Sequence, residues 1–314
     1  MVSFFYYFVI YIKMKSYQRL KIVGGRQEKD IIPWIASLQL DDFHFCGASV
    51  ISDKWLISAK HCFNNSSSYI DVKTGSLEVN DIRMKVSNID MVYSHPTADV
   101  SLIKLIEPID GIRESINILD GEIPTDSKLK VLGWGLTQEN GLASNTLKSV
   151  EVTLKSDEIC GNSDNYFDKK VEICAGGVKG EDSCQGDSGG PLVYVVDGVS
   201  YLVGVVSRGD GCAREGNYGV YISILKIRTW IESVMKDDFD KLSFIDYKNI
   251  ISGGGEVDGG GKNSAGGEVD GGGKKSAGYI FIIILYYILI SIFIVIIVYL
   301  LVFIFKKLFI SNVG

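Results

Sequence analysis

A serine set among glycines, in SCQGDSGGPL at 183–192, is the stretch of this chain best suited to nucleophilic chemistry. Gly186 and Gly189 let the backbone turn sharply around Ser188, so that its hydroxyl stands exposed while the amides of Gly186 and Ser188 converge on one point. Converging amides stabilise an oxyanion. A serine hydroxyl is a weak nucleophile near neutral pH unless a base takes its proton and a third group holds that base in one tautomer. The chain has three histidines. His61, in SAKHC, adjoins a cysteine that can pin it, whereas His44 and His95 lie in strand-like or turn-like settings and read as surface or core histidines. Asp99, in ADVSLIKL, opens an apolar run that draws it inside, where an unpaired carboxylate is costly. It needs a partner such as His61; the bland alternative is a strand-start cap.

The elements that must position these residues read as short strands. ASLQL (36–40), VEVTLKS (150–156), PLVYVV (191–196) and YLVGVVS (201–207) are rich in β-formers and are separated by Gly, Asn and Asp clusters. The body, 22–237, is therefore all-β, a barrel or sandwich. Only ILKIRTWIESVMK (224–236) shows helical spacing, with Ile227, Trp230, Ile231 and Val234 on one stripe, as expected of a closing helix.

With 314 residues, 46% of them apolar, the chain can bury a sizeable core. A formal charge of −6 without a basic patch argues against nucleic-acid partners. All six cysteines fall between Cys46 and Cys212, which suits a disulfide framework and an oxidising compartment. Residues 279–305 are 27 uncharged residues ending at Lys306 and Lys307, long enough to span a bilayer. The basic pair places 306–314 in the cytoplasm as a short tail and everything before the span outside, a type I orientation at the cell surface. A removable lipid-anchor signal around Asn263-Ser264-Ala265 is the alternative. Residues 1–12 resemble the apolar part of a signal segment, but no basic residue precedes it and no small-residue cleavage site follows; a misplaced start is the other reading. Between body and span, 238–278 forms a linker in which EVDGGGK recurs at Glu256 and Glu268, a Gly-rich stalk that sets reach. Asn64 and Asn65, in NNSS, are glycosylation acceptors.

IVGG (22–25), SAKHC, DVSLIKL, GWG (133–135), DSCQGDSGGPL and SRGDGC (207–212), in that order, identify a resemblance to the trypsin-type serine endopeptidases of the chymotrypsin family, from Ile22 to the closing helix. The resemblance implies two six-stranded antiparallel β-barrels with the cleft between them. His61 and Asp99 come from the first barrel, Ser188 from the second, and Ser207 hydrogen-bonds Asp99. It implies disulfides Cys46–Cys62, Cys160–Cys174 and Cys184–Cys212. It also implies a zymogen with a short propeptide, 13–21: an activating protease cuts Lys21–Ile22, and the new Ile22 ammonium pairs with Asp187 to form the oxyanion hole. Asp182 matches the base of the primary specificity pocket and Gly209 and Gly219 its walls, so protein or peptide substrates with Arg or Lys before the scissile bond are expected.

Several residues depart from the family's pattern. Lys60 replaces a small residue before His61, where a cation would lower the basicity of that histidine. Arg208 replaces a tryptophan in the segment that pairs with substrate, giving a cationic shelf expected to favour acidic residues upstream of the cut, unless the side chain turns into solvent. The loop between His95 and Asp99 is short and opens the cleft. The acids of a calcium loop are not apparent around 75–82; no metal and no cofactor is expected. Tyr218 stands where many relatives have proline, a change associated in the family with sodium binding. The rival to an active enzyme is a catalytically impaired homologue that acts as a surface binding protein.

Overall fold

The computed structural model describes residues 25–64, 70–109, 115–136, 141, 143–178, 184–209 and 214–252. The proposed leader, the stalk, the apolar segment 279–305 and the tail 306–314 lie outside these residues, and no helix among those described is long and apolar enough to cross a membrane.

The first half is a closed six-stranded barrel of β2 (Ile35–Leu40), β3 (Phe43–Val50), β4 (Trp55–Ser58), β5 (Asp71–Thr74), β6 (Lys85–Ser94) and β7 (Ser101–Leu105). A two-residue turn joins β2 to β3. Asp41 and Asp42 both adopt positive φ there, 50° and 65°, the mirror-image turn whose twist matches an antiparallel hairpin. The barrel is narrow, and Leu38, Val50, Leu56, Val72 and Ile103, which the register places on one face of the strands, are each fully buried.

The second half is a nine-stranded sheet. Its path runs from β1 (Arg26–Gln27) through β10 (Lys148–Thr153), β9 (Lys128–Gly133), β12 (Pro191–Val196), β13 (Val199–Arg208) and β14 (Tyr218–Ser223) to β11 (Glu172–Gly176). The region after β10 meets β11 at a single bridge between Leu154 and Ala175. Asp197-Gly198 makes the second positive-φ hairpin, between β12 and β13. One buried cluster runs from Leu38 and Leu102 of the barrel to Trp134, Leu202 and Ile231, so the two halves share a core.

The expected strands appear at all four stretches, with VEVTLKS ending at Thr153. The remainder of that stretch turns into α1 (Asp157–Ser163), a helix that periodicity did not announce. The Ser156 side chain accepts from Ile159 N–H at its start, and Asp157 and Glu158 complement the dipole of its first turn. The closing helix, α2 (Arg228–Met235), buries Ile231 and Met235. The chain from 238, read from the sequence as linker, continues to pack. Asp238 accepts from Trp55 Nε1–H at 3.0 Å. β15 (Phe244–Asp246) then pairs in parallel with β8 (Asn117–Asp120), and α3 (Tyr247–Ile251) follows. Arg228 bonds Asp120 at 2.5 Å and lies over the Phe244 ring.

Candidate active site

β4 and β7 pair antiparallel with Ser58 opposite Ser101, so the chain leaving β4 and the chain entering β7 emerge from one end of the same ladder. Three residues past Ser58, a single turn of 3₁₀ helix, Lys60–Phe63, carries His61; two residues before Ser101 stands Asp99. The Asp99 carboxylate grips His61 twice. Its Oδ1 accepts the His61 backbone N–H at 2.9 Å, and its Oδ2 lies 2.8 Å from Nδ1. Ser207 Oγ, at the end of β13, donates to the same Oδ2 at 2.6 Å. An ionised carboxylate can only accept, so Nδ1 carries the proton and Nε2 presents a lone pair. Burial pushes the Asp99 carboxyl up, but the bonds from His61 and Ser207 outweigh it and hold the group below the usual carboxylate range. The bond from Asp99 raises His61 above an ordinary histidine, against the opposing effect of burial.

Ser188 is held by its neighbours' lack of side chains. Gly189 has φ +77°, and a Cβ there would lie 2.5 Å from Gly47 O and 2.9 Å from Ala59 N. Gly47 N–H donates to Ser188 O at 2.8 Å, and Gly189 N–H to Val206 O at 2.8 Å. This stitches the serine turn to β3 of the barrel and β13 of the sheet. Cys62 Sγ, beside His61, lies 4.0 Å from Ser188 O. The disulfide Cys46–Cys62 ties the histidine turn to β3 next to Gly47, the residue whose N–H holds Ser188 O.

Gly186 has φ +93°. The Gln185 carbonyl accepts from Leu136 N–H at 2.7 Å and the Asp187 carbonyl from Gly190 N–H at 2.9 Å. In trans peptides the N–H opposes the C=O, so these bonds orient the amides of Gly186 and Ser188. Asp187 is fully buried. It accepts from Gly135 N–H and Cys184 N–H, both at 2.9 Å, in space left by glycine at 133 and 135.

His44, set aside in the sequence as ordinary, supports this same turn. Its Nε2 lies 2.9 Å from Gly186 O and its Nδ1 2.8 Å from Ser37 Oγ, with the ring edge-on to Trp134. A carbonyl requires a donor, so Nε2 is protonated and Nδ1 accepts from the serine. Burial lowers its pKa, against the opposing effect of the bond to Gly186 O, and so favours the neutral ring. The one sequence cue was Ser37, which the β2–β3 hairpin folds back towards His44.

Two expectations about the departures are corrected. The Lys60 ammonium donates to His95 O at 3.0 Å, and burial followed by this nearby charge lowers the pKa of His95; His61 is instead raised. Arg208 is neither a free cation nor turned into solvent. Its Nη1 donates to Glu172 Oε1 at 2.5 Å, and its Nη2 to Glu172 Oε2 at 3.0 Å and Asp164 Oδ2 at 2.8 Å.

Among the described residues, the disulfides Cys46–Cys62 and Cys160–Cys174 form as the resemblance implied. Cys184 is also disulfide-bonded. Cys212, Asp182, Lys21, Ile22 and Asn65 lie outside the described residues. Gly219 sits in β14 opposite Ala175, and a Cβ there would press on the Tyr221 hydroxyl at 2.8 Å. Gly209 follows Arg208 at the end of β13. Asn64 is exposed, one residue past the His61 turn. The metal-like grouping of Cys46, His61 and Cys62 has its two sulfurs joined to each other, which removes the thiolates a metal needs. In the 75–82 loop, Asp81 is engaged by the Arg83 side chain and by Ser76.

A sequence profile described as Trypsin matches residues 22–231. Over 231 residues the chain is 38% identical to Transmembrane protease serine 11B of Homo sapiens, covering 68% of this chain and 55% of that protein. It is 35% identical over 229 residues to Transmembrane protease serine 11C of Mus musculus, covering 68% and 53%. Against Transmembrane protease serine 9 of Rattus norvegicus it is 34% identical over 236 residues, covering 69% and 22%. The chain spans about half the length of the first two relatives and less than a quarter of the third. The profile takes in more than half of the 314 residues, including His61, Asp99 and Ser188: the chain belongs to the trypsin family of chymotrypsin-like serine proteases.

Proposed function

We propose that this chain is a serine endopeptidase that cuts after Arg or Lys, is made as a zymogen activated at Lys21–Ile22, and is held at the outer cell surface by residues 279–305. The observation that carries the catalytic part is the Asp99 carboxylate, bound at once by the backbone and ring of His61 and by Ser207.

In this reading His61 Nε2 takes the Ser188 proton as Oγ attacks the scissile carbonyl, and Asp99 stabilises the imidazolium that forms. The amides of Gly186 and Ser188 receive the oxyanion. His61 then returns its proton to the leaving amine, and a water repeats the sequence to release the acyl group from Ser188. An extended substrate has a place to lie. Among the described residues no strand pairs with the edge of β13 opposite β14 at Ser207 and Arg208, where a peptide can add as a further strand. Asp182, with Gly209 and Gly219, is assigned to the pocket that selects Arg or Lys. Asp187 is assigned to receive the Ile22 ammonium, and its full burial supports a role that a solvated acid could not fill.

A fluorophosphonate probe tests the reading. Cleavage at Lys21–Ile22 should make Ser188 label covalently, with no label in Ser188→Ala. Cleaved protein that stays unlabelled would indicate the impaired homologue instead.

A further inference from the structure

We propose that Lys60 is a positioning residue for catalysis: its ammonium ties the loop that brings in Asp99 to the turn that carries His61, and so fixes the carboxylate against the imidazole. The inference rests on the endopeptidase reading and adds to it a residue that acts without touching the substrate.

Ser58 of β4, Ser101 of β7 and Ser94 of β6 stand opposite one another across three neighbouring strands. Three segments therefore lie side by side at this end of the barrel. The middle one enters β7 and carries Asp99; the outer two, leaving β4 and β6, carry Lys60 and His95. The Lys60 ammonium donates to His95 O at 3.0 Å and joins the outer two directly. Asp99 in turn joins the middle segment to His61 through both carboxylate oxygens. The loop is thus held to the histidine turn near each of its ends. One attachment would let it swing about a single contact; two remove that freedom.

The loop is built to pass the constraint on. His95 N–H donates to Val100 O at 2.9 Å, which closes residues 95–100 at their neck. Inside, His95 Nδ1 lies 2.8 Å from Ala98 N and 3.2 Å from Thr97 N, so two N–H groups point at it and it presents its lone pair. The ring packs edge-on against Trp230 of α2, 5.0 Å between centroids. A shift at the His95 carbonyl therefore reaches Ala98, the neighbour of Asp99. Burial and then the Lys60 charge lower the His95 pKa, which favours the neutral ring that can accept. Among the described residues, the charged or titratable groups of these turns are Lys60, His61, His95 and Asp99; the elements packed on them present Trp230 from α2 and Ser207 from β13.

A strut and a bare charge at Lys60 have effects of opposite sign. As a charge, Lys60 would lower the basicity of His61, and removing it would raise the His61 pKa. As a strut it keeps Asp99 on the imidazole, and removing it lets the raised His61 pKa fall towards the ordinary histidine value.

The test is the pH dependence of kcat/KM for an Arg peptide, read on the full chain activated at Lys21–Ile22. Lys60→Met, which keeps an unbranched stem without the donor, should lower kcat by about five- to fiftyfold with KM little changed, and should move the apparent pKa down. Lys60→Ala, which restores the small residue of the family's pattern, gives the same comparison if the Met variant folds poorly. Lys60→Arg keeps a cationic donor and should restore most of the rate and the wild-type apparent pKa. An apparent pKa that rises in the Met and Ala variants makes Lys60 only a charge and overturns the proposal. An apparent pKa that stays in place overturns it too, even where rate and thermal midpoint fall, because a merely weakened fold does not retune His61. Wild-type protein that neither cleaves Arg peptides nor labels at Ser188 defeats the endopeptidase reading, and this inference with it.

Discussion

At the residue scale the protonation states follow from which atoms can donate. The raised pKa of His61 means that the base is charged, and useless, below that value. The kcat/KM for Arg peptides should therefore rise with pH through an apparent pKa above the ordinary histidine value of about 6.5, which a rate profile at saturating activation would read directly. Asp99→Asn should behave differently from a simple weakening. The His61 backbone N–H can still be met by the amide oxygen, but an NH₂ group then faces Nδ1, drives the ring proton to Nε2 and removes the lone pair Ser188 needs. A loss of about 10⁴ in kcat with the fold intact is expected, measured by turnover and near-UV circular dichroism. Asp182 belongs to the same scale: Asp182→Ser should lower kcat/KM for Arg and Lys peptides by at least about 10²-fold, and unchanged activity would refute the pocket assignment.

At the element scale the serine turn is a joint between barrel and sheet, and its glycines separate two kinds of cost. Gly198 has φ +81° in an open hairpin, and Gly189 has φ +77° against Gly47 O and Ala59 N. Gly198→Ala meets only backbone strain, about 1 kcal/mol, and should keep Ser188 labelling. Gly189→Ala meets strain and a collision with backbone that cannot move, so it should abolish labelling and lower the thermal midpoint well beyond the Gly198 variant. Much of this element logic was legible. Strand alternation marked β2, β10, β12 and β13, the glycines marked the turn, and the acid opening DVSLIKL marked Asp99. What stayed hidden depended on pairing across the chain. The role of His44 appears only when the Gly186 carbonyl is brought to its ring from 142 residues away. The charge of Arg208 looked free because Asp164 and Glu172, distant in sequence, close on it only after β13, β14 and β11 have paired. α1 escaped because a helix of seven residues shows no period and rests on its Ser156 cap and the Cys160 disulfide.

At the scale of the whole molecule the question is where the folded body ends and the proposed tether begins. Asp238 joins Trp55 at 3.0 Å and Lys104 at 3.7 Å, both in the barrel, while Phe244 in β15 lies beside Ile118 in β8. The segment after α2 is thus part of the body up to Ser252, and the Gly-rich stretch 253–278 starts directly after it. Protease attack within 253–278 should release an active enzyme of unchanged thermal midpoint, since the contacts described for the body lie within residues up to 252. Release also discriminates the two kinds of anchor. If 279–305 spans the bilayer, with Lys306 and Lys307 on the cytoplasmic side, a phospholipase that cuts glycosyl-phosphatidylinositol leaves the protein on cells while stalk proteolysis frees it. A lipid anchor gives the opposite result with the lipase, because the apolar segment would have been removed during attachment. A tag placed after Gly314 reads the same distinction independently: it remains cell-associated after stalk cleavage when the segment spans, and is absent from the surface protein when it has been exchanged for lipid.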